Sequence, residues 1–494
     1  MYHSLKDFVQ FLESKNELLR IREPLRAELE LTEVADRVVK KGGPALLFEN
    51  VIHRGPDGKD KKSEFPVLMN MYGSEQRMAW ALGVESVEEI AKQIEELLKT
   101  KPPSGFMEKL KMLPELVKLA SFTPKSVSRG AGVNHPCQEV VIDPPNLYRL
   151  PIPKCWPGDG GPYITLGNVI TKDPETGIRN VGLYRIQIFD EKTTAMHWQI
   201  HKVGSRHFDK YKEIKKKIDV AVFLGGDPVL TYAGSAPLPD MMDEILFAGF
   251  LRKKGFEMVK CKTIDLEVPA DADFVIEGFV DPTESPVKEG PFGDHTGYYS
   301  LTDNYPLFHV TAITHRKEAI FPSTIVGPPP MEDAYLGKAT ERIFLPLLRT
   351  TFPEIVDMHL PIEGAFHNLA IVSIKKGYPG HARKIMHSLW GTGQLMFTKC
   401  VVVVDHDVNV QNLKEVTWHL TANLDPKRDF LFSEGATDAL DHASPTFGVG
   451  SKIGIDGTRK WKDEPGCREW PDVIQMSPEV KTKIDALWTK LGIK

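Results

Sequence analysis

The texture of the sequence changes twice, and that change limits the architecture more than any single motif does. Up to about residue 95, and again from about 330, helical and strand-like segments alternate. Between them, from about Gln138, short β-rich runs follow one another: EVVIDPP, YITLGNVITKD, NVGLYRIQIFD and TTAMHWQIHK, separated by turn residues such as Pro174–Gly177. Alternation of helix and strand builds a sheet covered by helices, whereas closely spaced short strands build a barrel or a sandwich. The expected fold is therefore α/β (α+β overall). An N-terminal α/β domain with a linker covers 1–133, a β-barrel or sandwich 134–325, a second α/β domain 326–476, and a terminal amphipathic helix 477–494.

Ser4 caps a predicted helix in which Leu5, Phe8, Val9 and Leu12 share one face. LTEVADRVVKKGG predicts a second helix closed by Gly42 and Gly43, and ALLFENV and FPVLMNMYG predict buried strands. Residues 96–133, Lys-rich and broken by Pro102, Pro103, Pro114 and Pro124, read as a linker. In the β-rich part, Val220–Leu224 and Phe308–Thr314 predict further strands, and one helix is expected with Asp240 as its N-cap and FAGFL on its apolar face. Farther on, His367–Ile374 and Cys400–Asp405 predict strands, the second of the buried parallel type. Gly380–Trp390 and Leu413–Leu424 predict helices. Ser477-Pro478-Glu479 opens the tail helix, with Val480, Ile484, Leu487 and Leu491 at helical spacing. Its own domain or a neighbouring subunit would cover that face.

A length of 494 residues suggests about three domains. An apolar fraction of 41% with 26% charged residues excludes a disordered chain. The net charge of −5 leaves no basic excess to neutralise phosphates, so nucleic acid is not an expected partner. Cys137, Cys155, Cys261, Cys400 and Cys467 form no C-x-x-C, so no zinc knuckle is expected and a reduced, cytoplasmic setting is. The opening residues lack the pattern of a signal peptide, and no apolar run is long enough to span a bilayer. H-E-x-x-H, G-x-S-x-G and the P-loop pattern are absent. Gly448-Val-Gly450-Ser-Lys-Ile-Gly454 has the wrong spacing for a dinucleotide fingerprint and reads as a mobile loop.

Four segments carry chemistry. In N-V-G-L-Y-R, Asn180 is expected at a strand start with its amide free. Arg185, set among apolar residues, needs a carboxylate or phosphate if it is buried; a surface salt bridge is the plain alternative. In M-H-W-Q-I-H-K, a strand would point His197, Gln199 and His201 the same way, as metal ligands or as ordinary histidines. After A-G-S-A-P at 233–237, Glu244 opens an otherwise apolar helix, where a carboxylate asks for a cation. In E-G-P-F-G-D-H-T-G-Y-Y, a tight turn aims Glu289 and Asp294 into one pocket beside Phe292, Tyr298 and Tyr299. A carboxyl kept partly apolar has a raised pKa and can donate a proton. Solvated turn acids are the alternative.

Together, and in this order, these segments resemble the UbiD family of reversible aromatic acid decarboxylases. The resemblance runs nearly end to end, through L-x-D-F-x-x-x-L-E at the start, G-G-P-A-L-L-F-E-N at 42–50, N-x-G-x-Y-R at 180–185 and F-A-G-x-L-R at 247–252. It continues through E-V-P-A at 267–270, the acid motif at 289–299, F-P-E-I-V-D at 352–357 and G-S-K-x-G-x-D at 450–456. It implies a central split β-barrel, related to flavin reductases, that holds prenylated FMN. The family's metal ligands fall on Asn180, His201 and Glu244, an oxygen–nitrogen–oxygen set suited to a hard divalent ion such as Mn²⁺; K⁺ is a candidate second ion. The remaining cofactor contacts fall on Leu183, Tyr184, Arg185, Trp198, Gln199, Ser235, Ala236, Pro237 and Lys399.

The same resemblance places catalysis on Arg185, Glu289 and Asp294. Loss of CO₂ leaves an aryl carbanion that no side chain can accommodate, so a cofactor must act as electron sink. Arg185 would hold the substrate carboxylate. Asp294 would deliver the proton with Glu289 as relay, or the reverse. The nearest branch acts on 3-polyprenyl-4-hydroxybenzoate in ubiquinone or menaquinone biosynthesis. That branch reads R-W-L-S-H-R-G where this chain has H-W-Q-I-H-K-V, a form more like relatives that act on small hydroxybenzoates, so a small phenolic acid stands as the alternative substrate. An FMN oxidoreductase on the same barrel and a non-catalytic carboxylase subunit are rivals from other classes. The implied partners are the aromatic acid, a flavin prenyltransferase that supplies the cofactor, and further copies of the chain in a dimer or hexamer. Peripheral contact with the inner membrane would suit a polyprenyl substrate.

Overall fold

The computed structural model describes residues 2–55, 57–99, 120–128, 135–239, 242–464 and 469–492. Pro102, Pro103, Pro114, Asp240 and Cys467, on which some sequence expectations fall, lie outside these. The first helix forms as expected over Leu5–Ser14: Ser4 accepts the Asp7 amide, and Leu5, Phe8, Val9 and Leu12 are buried. The second covers Glu30–Val39, and Gly42, at φ +64°, turns the chain out of it. Leu18–Ile21 lies parallel to Ala45–Phe48, which pairs antiparallel with Val67–Met69. A fourth strand, Phe321–Pro322, lies parallel to Val67–Leu68. It comes from the far end of the β-rich part, so the N-terminal sheet is completed by residues far along the chain.

In the middle, Tyr163–Lys172, Arg179–Ile188, Thr193–Met196, Ile218–Leu224, Phe274–Val280 and Leu307–His315 form an antiparallel barrel. Pairing of Thr193–Ala195 with Leu307–His309 closes it. Closure removes the open edges that such a sheet would otherwise expose. Val169, Ile186, Val220, Val222, Ile276 and Phe308 fill one core with their neighbours.

The run TTAMHWQIHK is not one strand. It stops at Met196, whose amide bonds Pro306 O at 3.0 Å; the chain then turns and enters the helix Val203–Glu213. Pairing with both neighbouring strands ends there, at Leu307 on one side and at Ile186, beside Arg185, on the other, so His197, Gln199 and His201 do not share a strand face. The helix expected after residue 237 runs over Glu244–Arg252, with Asp243 as its N-cap: Oδ1 accepts the Ile245 and Leu246 amides.

In the last part, Ile355–His359, Leu369–Ile374, Cys400–Asp405, Val449–Asp456 and Phe430–Ala436 stand side by side in that order. Cys400–Asp405 is parallel to both of its neighbours, as its apolar run requires. The glycine-rich segment expected as a mobile loop is instead the strand Val449–Asp456. A Cβ at Gly454 would lie 2.5 Å from Met386 Sδ, so glycine there lets the helix His381–Trp390 pack closely. The tail helix forms over Pro478–Leu487 and buries none of its residues. Cys137, Cys155, Cys261 and Cys400 are free thiols. Among the described residues no helix is long and apolar enough to cross a membrane.

Candidate active site

Arg185 sits where the ladder between its strand and Tyr163–Lys172 slips register, between Tyr184 and Ile186. Such an irregularity re-aims a side chain, and this one faces two carboxylates. Arg185 Nε donates to Glu289 Oε1 and Nη2 to Glu289 Oε2, both at 2.9 Å. Nη1 bonds Asp294 Oδ2, and Nη2 also reaches Ser300 Oγ at 3.1 Å. The guanidinium lies 4.9 Å from the centre of the Phe292 ring. Glu289 is fully buried and Asp294 is 8% exposed. Arg185 is thus a buried cation held by both acids of the 289–299 turn.

The acids ride on a short hairpin, Val287–Glu289 with Asp303–Tyr305. Gly290, at φ +99°, makes the turn after Glu289. The segment Trp156–Tyr163 backs that turn. Gly160 N donates to Pro291 O at 2.7 Å, Tyr163 Oη to the same oxygen at 3.1 Å, and Gly293 N to Asp159 Oδ1 at 2.8 Å. A Cβ on Gly160 would fall 2.4 Å from Gly290 O, so only glycine permits this approach. Gln187 Oε1 takes the Gly290 amide at 2.8 Å.

The expectation of a neutral carboxyl is corrected in the state seen here. Burial alone pushes Glu289 up, but the His197 hydrogen bond and Arg185 bring it down to about 2. Asp294 is likewise raised by burial, yet His295 and then Arg185 hold it well below the carboxylate range. Both acids are therefore ionised without substrate, because charge pairing outweighs desolvation. His197 Nδ1 lies 3.1 Å from Glu289 Oε2. Burial and the Arg185 charge lower His197, and a carboxylate can only accept, so His197 is a neutral imidazole donating from Nδ1. His295 Nδ1 lies 2.9 Å from Asp294 Oδ1; burial lowers it, but the bond to Asp294 lifts it to about 9. Neither His197 as a partner of Glu289 nor His295 as a partner of Asp294 was singled out from sequence, although both sit inside the segments that were.

The predicted cofactor residues fall into two groups. Along the barrel wall, Asn168 Oδ1, Asn180 Nδ2 and Trp198 Nε1 are buried without a hydrogen-bond partner. Each such group costs about 1–3 kcal/mol unless a ligand meets it. A Cβ on Gly234 would lie 2.6 Å from Asn168 Oδ1 and 3.6 Å from Leu183 N, so the end of the helix Pro228–Ser235, leading to Ala236 and Pro237, passes close to Leu183. Gly204 N donates to Tyr184 Oη at 3.3 Å, and a Cβ there would meet Trp198 Nε1 at 2.9 Å. These residues fit a polar, planar ligand. Asn168 was missed because an asparagine inside an apolar strand carries no motif.

Asn180 and Glu244 also belong together. Glu244 Oε2 accepts the amide of Val181 at 2.9 Å, and burial raises its carboxyl to about 7. Two oxygen donors suit a hard divalent ion. His201 does not join them: it lies exposed on the turn before Val203–Glu213, its ring 5.1 Å from that of Phe397. Among the described residues no three His, Cys, Asp or Glu side chains are grouped as metal ligands. Lys399 is on the C-terminal domain, where Nζ bonds Asp441 at 2.6 Å. Gln199, half-buried in the same turn as His201, accepts the Lys202 amide with its carbonyl. The face of the C-terminal domain nearby meets the barrel through rings. His295 lies 5.3 Å from Phe366 and 5.0 Å from His367, and Tyr298 lies 4.2 Å from His442.

Three family profiles, all of a 3-octaprenyl-4-hydroxybenzoate carboxy-lyase, match the chain: the N-terminal domain at residues 9–97, the Rift-related domain at 130–329 and the C-terminal domain at 334–457. An uncharacterized protein of Aquifex aeolicus is 54% identical, with 100% of this chain and 99% of the relative covered. One from Archaeoglobus fulgidus is 52% identical over 99% and 98%. Among solved structures, the closed form of the Sedimentibacter hydroxybenzoicus vanillic acid decarboxylase superposes with a TM-score of 0.83 at 28% identity, covering 99% of each chain. The enzyme HmfF of Pelotomaculum thermopropionicum, described as UbiD-class and in complex with FMN, gives 0.78 at 29%, covering 97% of this chain and 98% of that one.

Proposed function

The chain belongs to the UbiD family of carboxy-lyases, and from that membership we propose that it removes CO₂ non-oxidatively from a 4-hydroxybenzoate-type acid with prenylated FMN. The observation that carries this reading is Arg185 spanning two buried carboxylates at the barrel wall. A lone structural ion pair needs one acid; a site that must hold a carboxylate substrate and then supply a proton needs a cation and a spare acid. The cofactor, when bound, supplies the electron sink. The residues to hold it are Asn168, Asn180, Leu183, Tyr184, Trp198 and the segment Ser235–Pro237, with Gln199 and His201 on the adjoining turn. Asn180 and Glu244 would take a divalent ion, completed by His201 if that turn swings inward. Lys399 would serve the phosphate on release from Asp441.

The rest is done by side chains. Arg185 keeps Glu289 as its permanent bidentate partner and turns Nη1 from Asp294 to the substrate carboxylate. Asp294 then loses its guanidinium partner, its pKa rises, and it can carry a proton to the ring carbon that CO₂ has left. Exposed Tyr298 and Leu301, between the two strands of the acid hairpin, offer an apolar rim, which favours a polyprenyl tail. A second reading, a small phenolic acid, is favoured by His197 seated on Glu289, where the polyprenyl branch carries arginine.

The test is co-expression with a flavin prenyltransferase, mass spectrometry of the released cofactor, and a panel of prenylated and unprenylated hydroxybenzoates. A prenylated FMN mass with CO₂ release is expected. Plain FMN at full occupancy despite an active prenyltransferase overturns the reading in favour of an oxidoreductase.

A further inference from the structure

Asp294 must regain a proton in every turnover, and it is nearly closed off from water. Its Oδ2 faces Arg185, which has no proton to give at any ordinary pH. Its Oδ1 accepts from His295 twice, from the backbone amide at 2.8 Å and from ring Nδ1 at 2.9 Å. His295 is the only ionisable side chain among the described residues that touches that oxygen, and its own side chain is 21% exposed. It therefore has one nitrogen on the acid and a route to solvent. We propose that His295 recharges Asp294, passing a proton from Nδ1 to Oδ1, so that the working acid is the Asp294–His295 pair. This rests on the decarboxylase reading above.

The steps balance. The C–CO₂ bond breaks and leaves its electron pair on the ring carbon. Asp294 O–H breaks and a C–H bond forms there. The Asp294 carboxylate takes the proton from Nδ1 of protonated His295, and neutral His295 takes one from water. No redox partner is needed. The substrate supplies the timing: its carboxylate takes Arg185 Nη1 away from Asp294, which makes the carboxylate more basic and pulls the proton across from the imidazole.

The surroundings keep His295 charged until then. Asp294 faces it from its own loop, Asp333 from the start of the helix Asp333–Thr351, and Asp438 and His367 from the C-terminal domain, with Phe366 closing the side. Asp333 Oδ2 is buried and unpartnered, and burial raises its carboxyl to about 7. His367 Nδ1 is tied to Ala365 O at 2.6 Å, and burial lowers it, so it stays neutral and does not compete for the proton.

The test uses holoenzyme carrying its cofactor, as wild type and as His295→Gln and His295→Asn, with kcat followed against pH on a turned-over acid. ¹⁵N-histidine NMR of the wild type and of Asp294→Asn is recorded alongside. The variants are expected to lose on the order of 10²-fold in kcat and to shift the alkaline limb to lower pH, because only the carboxyl remains as acid. His295 should titrate near 9 in the wild type and clearly lower in Asp294→Asn. An active wild type whose two variants fall by one factor at every pH overturns the proposal, as does a wild-type His295 that titrates at or below about 6.5. A wild-type holoenzyme that decarboxylates no acid overturns the decarboxylase reading itself, and this proposal with it.

Discussion

Arg185 is buried, and its charge is tolerable only because two carboxylates and a hydroxyl meet its nitrogens. Each acid also has its own imidazole, His197 on Glu289 and His295 on Asp294. Replacing Glu289 by Gln, or Asp294 by Asn, keeps the shape and removes the acid. Each variant is expected to retain flavin, read from its absorbance, and to lose roughly 10²–10⁴-fold in turnover; wild-type rates in both would remove the acids from the mechanism. The low carboxyl also has a thermodynamic signature. Glu289 titrates near 2 in the folded chain, against about 4.3 unfolded. Its pairing therefore stabilises the fold fully above pH ~4.3, and that contribution is lost as pH falls through about 2. In acid titrations followed by circular dichroism, the stability gap between wild type and Glu289→Gln should narrow over that window; a constant gap would contradict the pairing. Arg185 stands out in the sequence as a charge in an apolar run, and Glu289 and Asp294 as two acids flanking a tight turn beside aromatic residues. Their ionised state does not, since it depends on which imidazoles the folded chain brings alongside.

The strands and helices carry these groups with different fidelity. The barrel strand bearing Asn180 and Arg185 runs over Arg179–Ile188, close to the expected bounds, and the register slip at Arg185 interrupts its ladder without ending it. The next run was overextended past Met196. Its alternating pattern continues, but pairing with Leu307–His315 stops at Pro306 and pairing with Arg179–Ile188 stops at Ile186, where the register slips, and pairing length is a property of paired segments rather than of one. That one difference separates buried His197 from exposed His201. The helix opened by Glu244 was expected, while its cap is Asp243. Asp243→Ala should cost about 1 kcal/mol, seen as a lower apparent melting temperature. It should also loosen Glu244 and lower the metal content of purified protein, measured by elemental analysis. Glu244→Ala should lose metal and flavin together; full occupancy of both would dismiss the metal assignment.

Across the molecule, the loop of the acid hairpin lies against Phe366, His367 and His442 of the C-terminal domain, and the turn carrying His201 against Phe397 of the same domain. The site is therefore shared between the barrel and the C-terminal part of the chain. The tail helix is different: Val480, Ile484 and Leu491 are exposed, as are Ile474 and Met476 before it. A chain ending before Val473 is expected to keep its barrel and to assemble, by light scattering, into an oligomer of fewer subunits than the full-length protein. An unchanged number of subunits would detach the tail from assembly.

The N-terminal sheet borrows Phe321–Pro322, and the barrel closes only when Leu307–His315 meets Thr193–Met196. During synthesis, then, neither unit is finished while the ribosome is still working through the barrel. The edge at Val67–Met69 and the open side at Thr193–Met196 wait together for the stretch around 307–322. The two units should become resistant to protease almost at once, late in translation, rather than one after the other from the N-terminus. A nascent chain arrested short of that stretch would be the form most in need of a chaperone.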